Sequence, residues 1–461
     1  MDPDPNPNRR TIRVVMLPWL AHGHLSPFLE LAKVLSKRNF YIYVCSTPVN
    51  LAPIKGNLYR KKYSSLGIEL VDLNLPPSPE LPPCRQTTNG LPPRLMSTLK
   101  TAFDMAKPEF HRVLDSIKPD LLIYDFLQPW APEVASESGI PAVLFLSTGA
   151  AASSYFFHLE LNPSSEFPSP AIYIRGYEKA KLDHVTKSVA NGITDPERAS
   201  KCWERSTNIV LIKTSRALEG KYIDYLSILR NKRMIPVGPL IQDPVLEVED
   251  GNKPEIIRWL DEKPPRSTLF ASFGSEYFLS SDEIKEIAHG LELSAVNFIW
   301  VVRFPAGEKS RVEEALPEGF MERIKDRGRV VEGWAPQARI LGHGSVGGFL
   351  SHCGWSSLME GIAFGVPVVG LPMHLDQPLN CRMVEEAGVG VEVRRDGGGR
   401  VERGEVGRVV REVVARKSGE AIRMRVLEEL RVEMRTKGEA EMEAAVEELL
   451  KLCCGKYSSV L

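Results

Sequence analysis

The chain has almost no net charge: 58 lysines and arginines meet 59 aspartates and glutamates, a formal balance of −1. No basic field therefore points to nucleic acid or to an anionic membrane. No run of 18 or more apolar residues occurs, so no membrane span is expected. The opening MDPDPNPNRR is polar and proline-rich and lacks the apolar centre of a secretory signal. Cysteine is scarce, odd in number and scattered, at positions 45, 84, 202, 353, 381, 453 and 454. No Cys-x-x-Cys pair is present, which argues against a zinc site, and free thiols in a reducing compartment fit better than a disulfide framework. The cytosol is the expected location. The one Asp-x-Asp, Asp2-Pro3-Asp4, sits in the polar leader and is discounted as a metal site.

What is there suits a soluble globular protein. The 461 residues are 43% hydrophobic and 25% charged, enough for two domains with a core each. Short apolar runs read as strands at Ile12–Leu17, Tyr41–Cys45, Leu121–Tyr124, Ala142–Leu146, Ile209–Ile212 and Met234–Val237. Helical patterns lie between them, clearest from Leu25 to Leu35, where Leu25, Phe28, Leu29, Ala32 and Leu35 recur every three or four residues. The alternation then restarts, with strands expected at Ser267–Ser272, Phe298–Val302, Val330–Val331, Gly347–Leu350 and Val366–Gly370. Strands alternating with helices predict parallel sheets covered on both faces. The predicted division is an acceptor-binding domain over 1–240, a linker over 241–254 rich in proline and acidic residues, and a second domain over 255–461, whose last helix is free to pack back on the first. Ligands are then expected at the carboxyl ends of the strands. Two proline-rich stretches, Leu75–Pro93 and Pro163–Leu182, read as pocket walls or as plain surface loops. The Glu- and Arg-rich tail from Ser418 has helical periodicity and reads as a solvated helix.

The densest information lies between Trp334 and Gln377, WAPQARILGHGSVGGFLSHCGWSSLMEGIAFGVPVVGLPMHLDQ. A tryptophan in a loop can stack on a flat heterocycle; by itself, Trp334 is more simply a packing residue. A buried strand then leads to Ser351-His352-Cys353-Gly354, and a helix is expected from Trp355. Ser356 and Ser357 fall in its first turn, where backbone N–H groups and hydroxyls can hold phosphate oxygens. Helix capping is the plainer reading of either serine, and a satisfied core histidine that of His352. Glu360, one turn beyond Ser356, can accept hydrogen bonds from both ribose hydroxyls. Asp376-Gln377 suit vicinal sugar hydroxyls or, more simply, cap the helix that follows. Gly342, Gly344 and Gly347 match Gly-x-Gly-x-x-Gly, but a helical stretch precedes them and a strand follows, the reverse of what a dinucleotide-binding turn needs.

Taken whole, the stretch closely resembles the signature of plant family 1 UDP-dependent glycosyltransferases, and the likeness runs from Val14 to about Leu450. The resemblance implies a GT-B fold, an α/β architecture of two facing Rossmann-like domains with the donor held mainly by the second. It implies that Trp334 stacks on uracil with Gln337 beside it, that Ser275, His352, Ser357 and the Gly354 backbone face the diphosphate, that Glu360 holds the ribose, and that Trp355, Asp376 and Gln377 contact the sugar. One position departs: the family usually has asparagine where this chain has Ser356, which keeps a hydroxyl but loses the longer amide reach. Some members that add sugar to sugar share that serine.

In the first half, the strand Ile12–Leu17 runs into Pro18-Trp19-Leu20-Ala21-His22-Gly23-His24, placing His24 at a carboxyl end. A histidine near neutral pKa can take a proton from an attacking hydroxyl, and Asp125, ending another strand, could orient it. Both match the family's catalytic dyad, which implies displacement at the anomeric carbon with inversion, with helix N-termini and His352 neutralising the departing diphosphate, no metal and no cofactor beyond the UDP-sugar co-substrate. Gln377 resembles members that prefer glucose, with xylose and rhamnose behind. The segments Leu17–His24, Phe126–Trp130 and Thr87–Pro92 resemble the branch-forming subgroup, which extends sugars on terpenoid, flavonoid or lignan glycosides. His22, Gln128, Trp130 and Thr148 are the candidates for acceptor contacts, although core packing suits Trp130 equally well. A monomer is expected. Glucosylation of an aglycone hydroxyl, or UDP-sugar binding without catalysis, are the other functions the sequence allows.

Overall fold

The computed structural model describes residues 10–58, 65–76, 78–244, 254–304 and 312–454. Most of the expected linker, residues 245–253, lies outside the described residues.

The strands are β1 (Ile12–Leu17), β2 (Phe40–Ser46), β3 (Ile68–Asp72), β4 (Leu121–Tyr124), β5 (Ala142–Leu146), the short antiparallel pair β6 (Val189–Ala190) and β7 (Ile193–Thr194), β8 (Ile209–Ile212) and β9 (Arg233–Pro236). A second series follows: β10 (Thr268–Ser272), β11 (Asn297–Val302), β12 (Gly328–Glu332), β13 (Val346–Ser351), β14 (Val368–Gly370) and β15 (Gly390–Glu392). They form two parallel sheets, ordered β3-β2-β1-β4-β5-β8-β9 and β12-β11-β10-β13-β14-β15. Central strands such as Leu-Leu-Ile-Tyr in β4 and Ile-Val-Leu-Ile in β8 are buried along their whole length. Helices cover both faces of such a sheet, so these strands read as unbroken apolar runs.

In each sheet the chain builds outward on one side of its first strand and then crosses to the other. The reversal falls between β1 and β4 in one sheet and between β10 and β13 in the other. The register there is tight: Leu17 pairs with Tyr124, and Ser272 with Ser351. The chains leaving these strand ends therefore emerge side by side, opening a crevice at each reversal.

Among the described residues, four strands escape the apolar runs: the two-residue pair β6 and β7, and β3 and β15, which are edge strands. Ile68-Glu69-Leu70-Val71-Asp72 is only partly buried, and β15 is three residues long, so neither carries a sustained apolar signal. The expected loop Pro163–Leu182 is also corrected: its end belongs to a helix, Gly176–Thr186. That helix is held by long-range ion pairs. Arg382 donates to Glu178 at 2.8 and 2.9 Å, and Arg175 reaches Glu392 at 2.5 and 2.8 Å, both across to the second sheet's side. The stretch is a clamp between the two halves, not a plain loop.

The tail runs as a helix from Arg431 to Cys454 after a π-helical turn at Arg425–Leu430. Met442, Ala445, Val446, Leu449 and Cys453 are buried in one core with Ile12, Val14, Ile209 and Ile235 of the first sheet. The tail helix thus returns to the first half of the molecule and is not a solvated extension.

Candidate active site

The loop after β1 turns at once into the helix His22–Ser36, which puts His24 in its first turn. Asp125 is the residue after β4, and the β1–β4 register brings the two together. His24 Nδ1 lies 2.8 Å from Asp125 Oδ2. Asp125 is fully buried, and its two oxygens also accept the backbone N–H groups of Trp19 at 3.1 Å and Phe126 at 2.8 Å. The carboxylate is thus fixed by three donors, and it fixes the imidazole with Nε2 as the other nitrogen. Ser147 Oγ is 3.4 Å from His24 Nδ1, and the Phe126 ring packs 5.4 Å away. Burial pushes the His24 pKa down, but the charge and hydrogen bond of Asp125, with Glu276 and Asp376 beyond, outweigh it, and the net shift is upward.

The second crevice carries the residues of the 334–377 stretch. Trp334, after β12, is 66% exposed, so packing is not its role. Gln337 Nε2 donates to Glu360 at 2.7 Å and reaches Ser357 Oγ at 3.4 Å, tying the loop after Trp334 to the helix Trp355–Ala363. Burial raises the Glu360 pKa, while Gln337 and Lys213 pull it back. Gly354 precedes that helix without a side-chain cap, and neither serine caps it, so the first-turn N–H groups are left to a ligand. Asp376 is no cap either: its carboxylate takes the Asn380 amide at 2.9 Å. Gln377 Oε1 accepts the N–H groups of Met373 and His374 at 3.0 and 3.1 Å, which leaves its NH2 as the end that can serve a sugar.

His352 lies against two glycines. A Cβ at Gly354 would fall 2.5 Å from its Nε2, and one at Gly274, where φ is +78°, would fall 2.7 Å away. Only glycine leaves room for the ring at both sites. Ser275, half-buried, follows Gly274. Burial lowers the His352 pKa to about 4, helped by His374 and Arg303 and opposed by the Ser272 backbone. Without an anion beside it the imidazole is neutral near pH 7, and it can offer an incoming diphosphate a hydrogen bond.

Three further expectations change. The Trp355 indole is buried against Gly149 and donates to the Lys213 carbonyl at 2.6 Å, so only its backbone remains for a sugar. Trp130 is buried edge-on to Phe103 and Phe110, with centroids 5.4 and 5.5 Å apart, and takes the core role. Gln128 is wholly buried and donates to the Leu17 carbonyl at 2.5 Å, bracing the end of β1 instead of lining the crevice. His22 is exposed, and Thr148 is half-buried with Oγ1 2.9 Å from Ser153. The structure adds residues no motif announced. Glu276 accepts the Thr88 hydroxyl at 2.6 Å, joining the Leu75–Pro93 stretch to the loop after β10. Arg303, just beyond β11, acts on both His22 and His352. Lys213, just beyond β8, reaches Ser356. Among the described residues, no cluster of His, Cys, Asp and Glu could hold a metal ion.

Comparison with known proteins agrees with this geometry. Residues 10–242 match the family described as "Glycosyltransferase, N-terminal domain", and residues 263–418 match "UDP-glucoronosyl and UDP-glucosyl transferase". A β-D-glucosyl crocetin β-1,6-glucosyltransferase of Gardenia jasminoides is 53% identical over 391 residues, 85% of this chain and 88% of that protein. A mogroside IIIx synthase of Siraitia grosvenorii is 51% identical over 453 residues, 96% of this chain and 98% of that protein. The structure of Phytolacca americana UGT2 with UDP-2fluoro-glucose and pterostilbene superposes with a TM-score of 0.75 at 27% identity, covering 96% of this chain and 99% of that one. The chain therefore belongs to the plant UDP-dependent glycosyltransferase family and is a UDP-glycosyltransferase of GT-B fold.

Proposed function

We propose that the enzyme transfers glucose from UDP-glucose, with inversion and without a metal, to a hydroxyl of a sugar already carried by a plant natural product. The observation that carries the reading is the His24–Asp125 pair, 2.8 Å apart, at the reversal of one sheet. The uncapped helix Trp355–Ala363 stands at the reversal of the other. One crevice holds a base, the other an anion site.

In the proposed mechanism the donor lies with uracil on Trp334, ribose on Glu360, and diphosphate before the first turn of Trp355–Ala363, near Ser275, His352, Ser356 and Ser357. Asp376 and the Gln377 NH2 hold the glucose. An acceptor hydroxyl hydrogen-bonds to His24 Nε2. Its oxygen attacks the anomeric carbon from the face opposite UDP, the hydroxyl proton passes to Nε2, and the bond from that carbon to the diphosphate oxygen breaks. Asp125 keeps the proton on Nδ1 and stabilises the imidazolium as it forms. Backbone N–H groups meet the charge that develops on the leaving diphosphate, which is the work a metal would otherwise do. A donor whose sugar is α-linked to UDP yields a β-glycoside.

The sugar acceptor is supported by the names of the relatives: the Gardenia protein is named for adding glucose to a glucosyl crocetin. The cytosol is supported by a cysteine set that is odd in number and scattered along the chain. A panel of terpenoid, flavonoid and lignan glycosides and their aglycones, with UDP-glucose, UDP-galactose, UDP-xylose and UDP-rhamnose, tests the reading by mass spectrometry. Glycosides gaining the mass of one anhydroglucose from UDP-glucose, with aglycones turned over far more slowly, are the expected result. Preference for the aglycone overturns the branch-forming assignment, and preference for another donor overturns the glucose assignment.

A further inference from the structure

We propose that Lys213 is a positioning residue for the donor diphosphate, reaching across the interface between the two halves to aim the Ser356 hydroxyl at the phosphate oxygens. The proposal rests on the reading that the diphosphate sits before the helix Trp355–Ala363.

Lys213 ends the run out of β8 in the first sheet, yet it is only 2% exposed. Its Nζ lies 2.9 Å from Ser356 Oγ, and its carbonyl accepts the Trp355 indole N–H at 2.6 Å. One residue of the first half thus grips the first two positions of a helix in the second. The direction of the hydrogen bond is forced. An ammonium has donors and no acceptor, so Ser356 Oγ accepts, and the serine's own proton must point elsewhere. Beside it stand the uncapped first-turn N–H groups, which already make that end of the helix attractive to an anion. The hydroxyl joins that set of donors with its orientation set from behind.

Charge argues the same way. A buried ammonium is costly unless an anion lies close. Among the described residues Lys213 makes no salt bridge within 4.0 Å; Glu360, one turn along the helix, and Glu30 act on it only from a distance. A diphosphate before the helix supplies the missing partner. Burial lowers the Lys213 pKa to about 8, so the group still carries its charge near pH 7. The neutral His352 does not duplicate that role.

Calorimetric titration of the full chain with UDP and with uridine separates a diphosphate effect from a nucleoside effect. For Lys213→Met, the UDP Kd is expected to rise about tenfold, the size of a lost charge-assisted contact, while the uridine Kd stays within about twofold. Lys213→Arg should recover most of the loss. Ser356→Ala should weaken UDP selectively as well, and the double variant should be no worse than the weaker single, because both remove one device. Equal losses for UDP and uridine, or no loss, in Lys213→Met overturn the proposal. If Ser356→Ala is selective and Lys213→Met is not, the donor placement stands and the proposal alone falls. If Ser356→Ala leaves the UDP-to-uridine ratio unchanged, the placement of Ser356 at the diphosphate fails and takes the proposal with it. Should Lys213→Met not fold, Lys213→Leu, which also removes both the charge and the donor, decides: a UDP-selective loss supports the proposal and its absence overturns it.

Discussion

At the scale of single residues, the chemistry turns on His24. Its pKa is raised, burial being outweighed by Asp125. As a base it must be neutral, so kcat/KM is expected to fall as pH drops through a value above the usual 6.5. Stability moves the other way. A histidine whose folded pKa is raised contributes stability that is complete below its unfolded value and is lost as pH rises through the folded one. Activity and the dyad's share of stability should therefore cross in the same window, above 6.5. Asp125→Asn should move the acid limb of the rate profile to lower pH and cut kcat at least about a hundredfold; an unmoved limb would assign the base elsewhere. The pairing of His24 with Asp125 was expected mainly through the resemblance: Asp125 directly follows an apolar run, but His24 lies seven residues past Leu17, inside the next helix. Lys213, Arg303 and Glu276 also follow strand ends, but they sit in no motif, and only the assembled sheets reveal them. For Trp130 the sequence left an acceptor contact and core packing equally open, and only the assembled fold, with Phe103 and Phe110 edge-on to it, chooses the core.

At the scale of elements, strands with a sustained apolar run announced themselves, edge strands β9 and β12 included, whereas the part-buried β3 and the three-residue β15 did not. The same contrast governs the helices. Gly176–Thr186 carries no clear apolar stripe because ion pairs, not apolar packing, hold its place. Arg382 and Glu178 are both almost fully buried, with side chains 2% and 6% exposed. Removing one partner leaves an uncompensated charge, so Glu178→Ala should cost about 3–5 kcal/mol. Replacing both with methionine should cost much less. Urea unfolding of the two variants measures the difference, and a single-variant cost below about 1 kcal/mol would show that the clamp is ornamental. The start of a helix at Trp355 was legible from the sequence, and an anion site at its first turn is what the resemblance implies. That its serines leave capping undone, and that its tryptophan faces the other half of the molecule, was not, because both facts depend on Gly149 and Lys213.

At the scale of the whole molecule, the two halves share one topology, with each crevice at a strand reversal, and this much follows from the repeated alternation of strand and helix. The return of the tail was one of two readings the sequence left open. Its Glu- and Arg-rich composition reads as solvated, but the buried stripe from Met442 to Cys453 completes the core over β1, β8 and β9. Leu449→Ala should therefore destabilise the first half by about 2–5 kcal/mol, although it lies some two hundred residues beyond that half in sequence. Thermal unfolding followed by tryptophan fluorescence reports it, and an unchanged midpoint would return the tail to solvent. This arrangement also sets the order of events on the ribosome. The first sheet's last strand is made by Pro236, but the stripe that seals its core arrives only at Met442–Cys453. At usual elongation speeds the unsealed half waits roughly 10–40 s. During that time an apolar face stays open to chaperones and proteases, and a message cut short before Met442 yields a product the cell can recognise as unfinished.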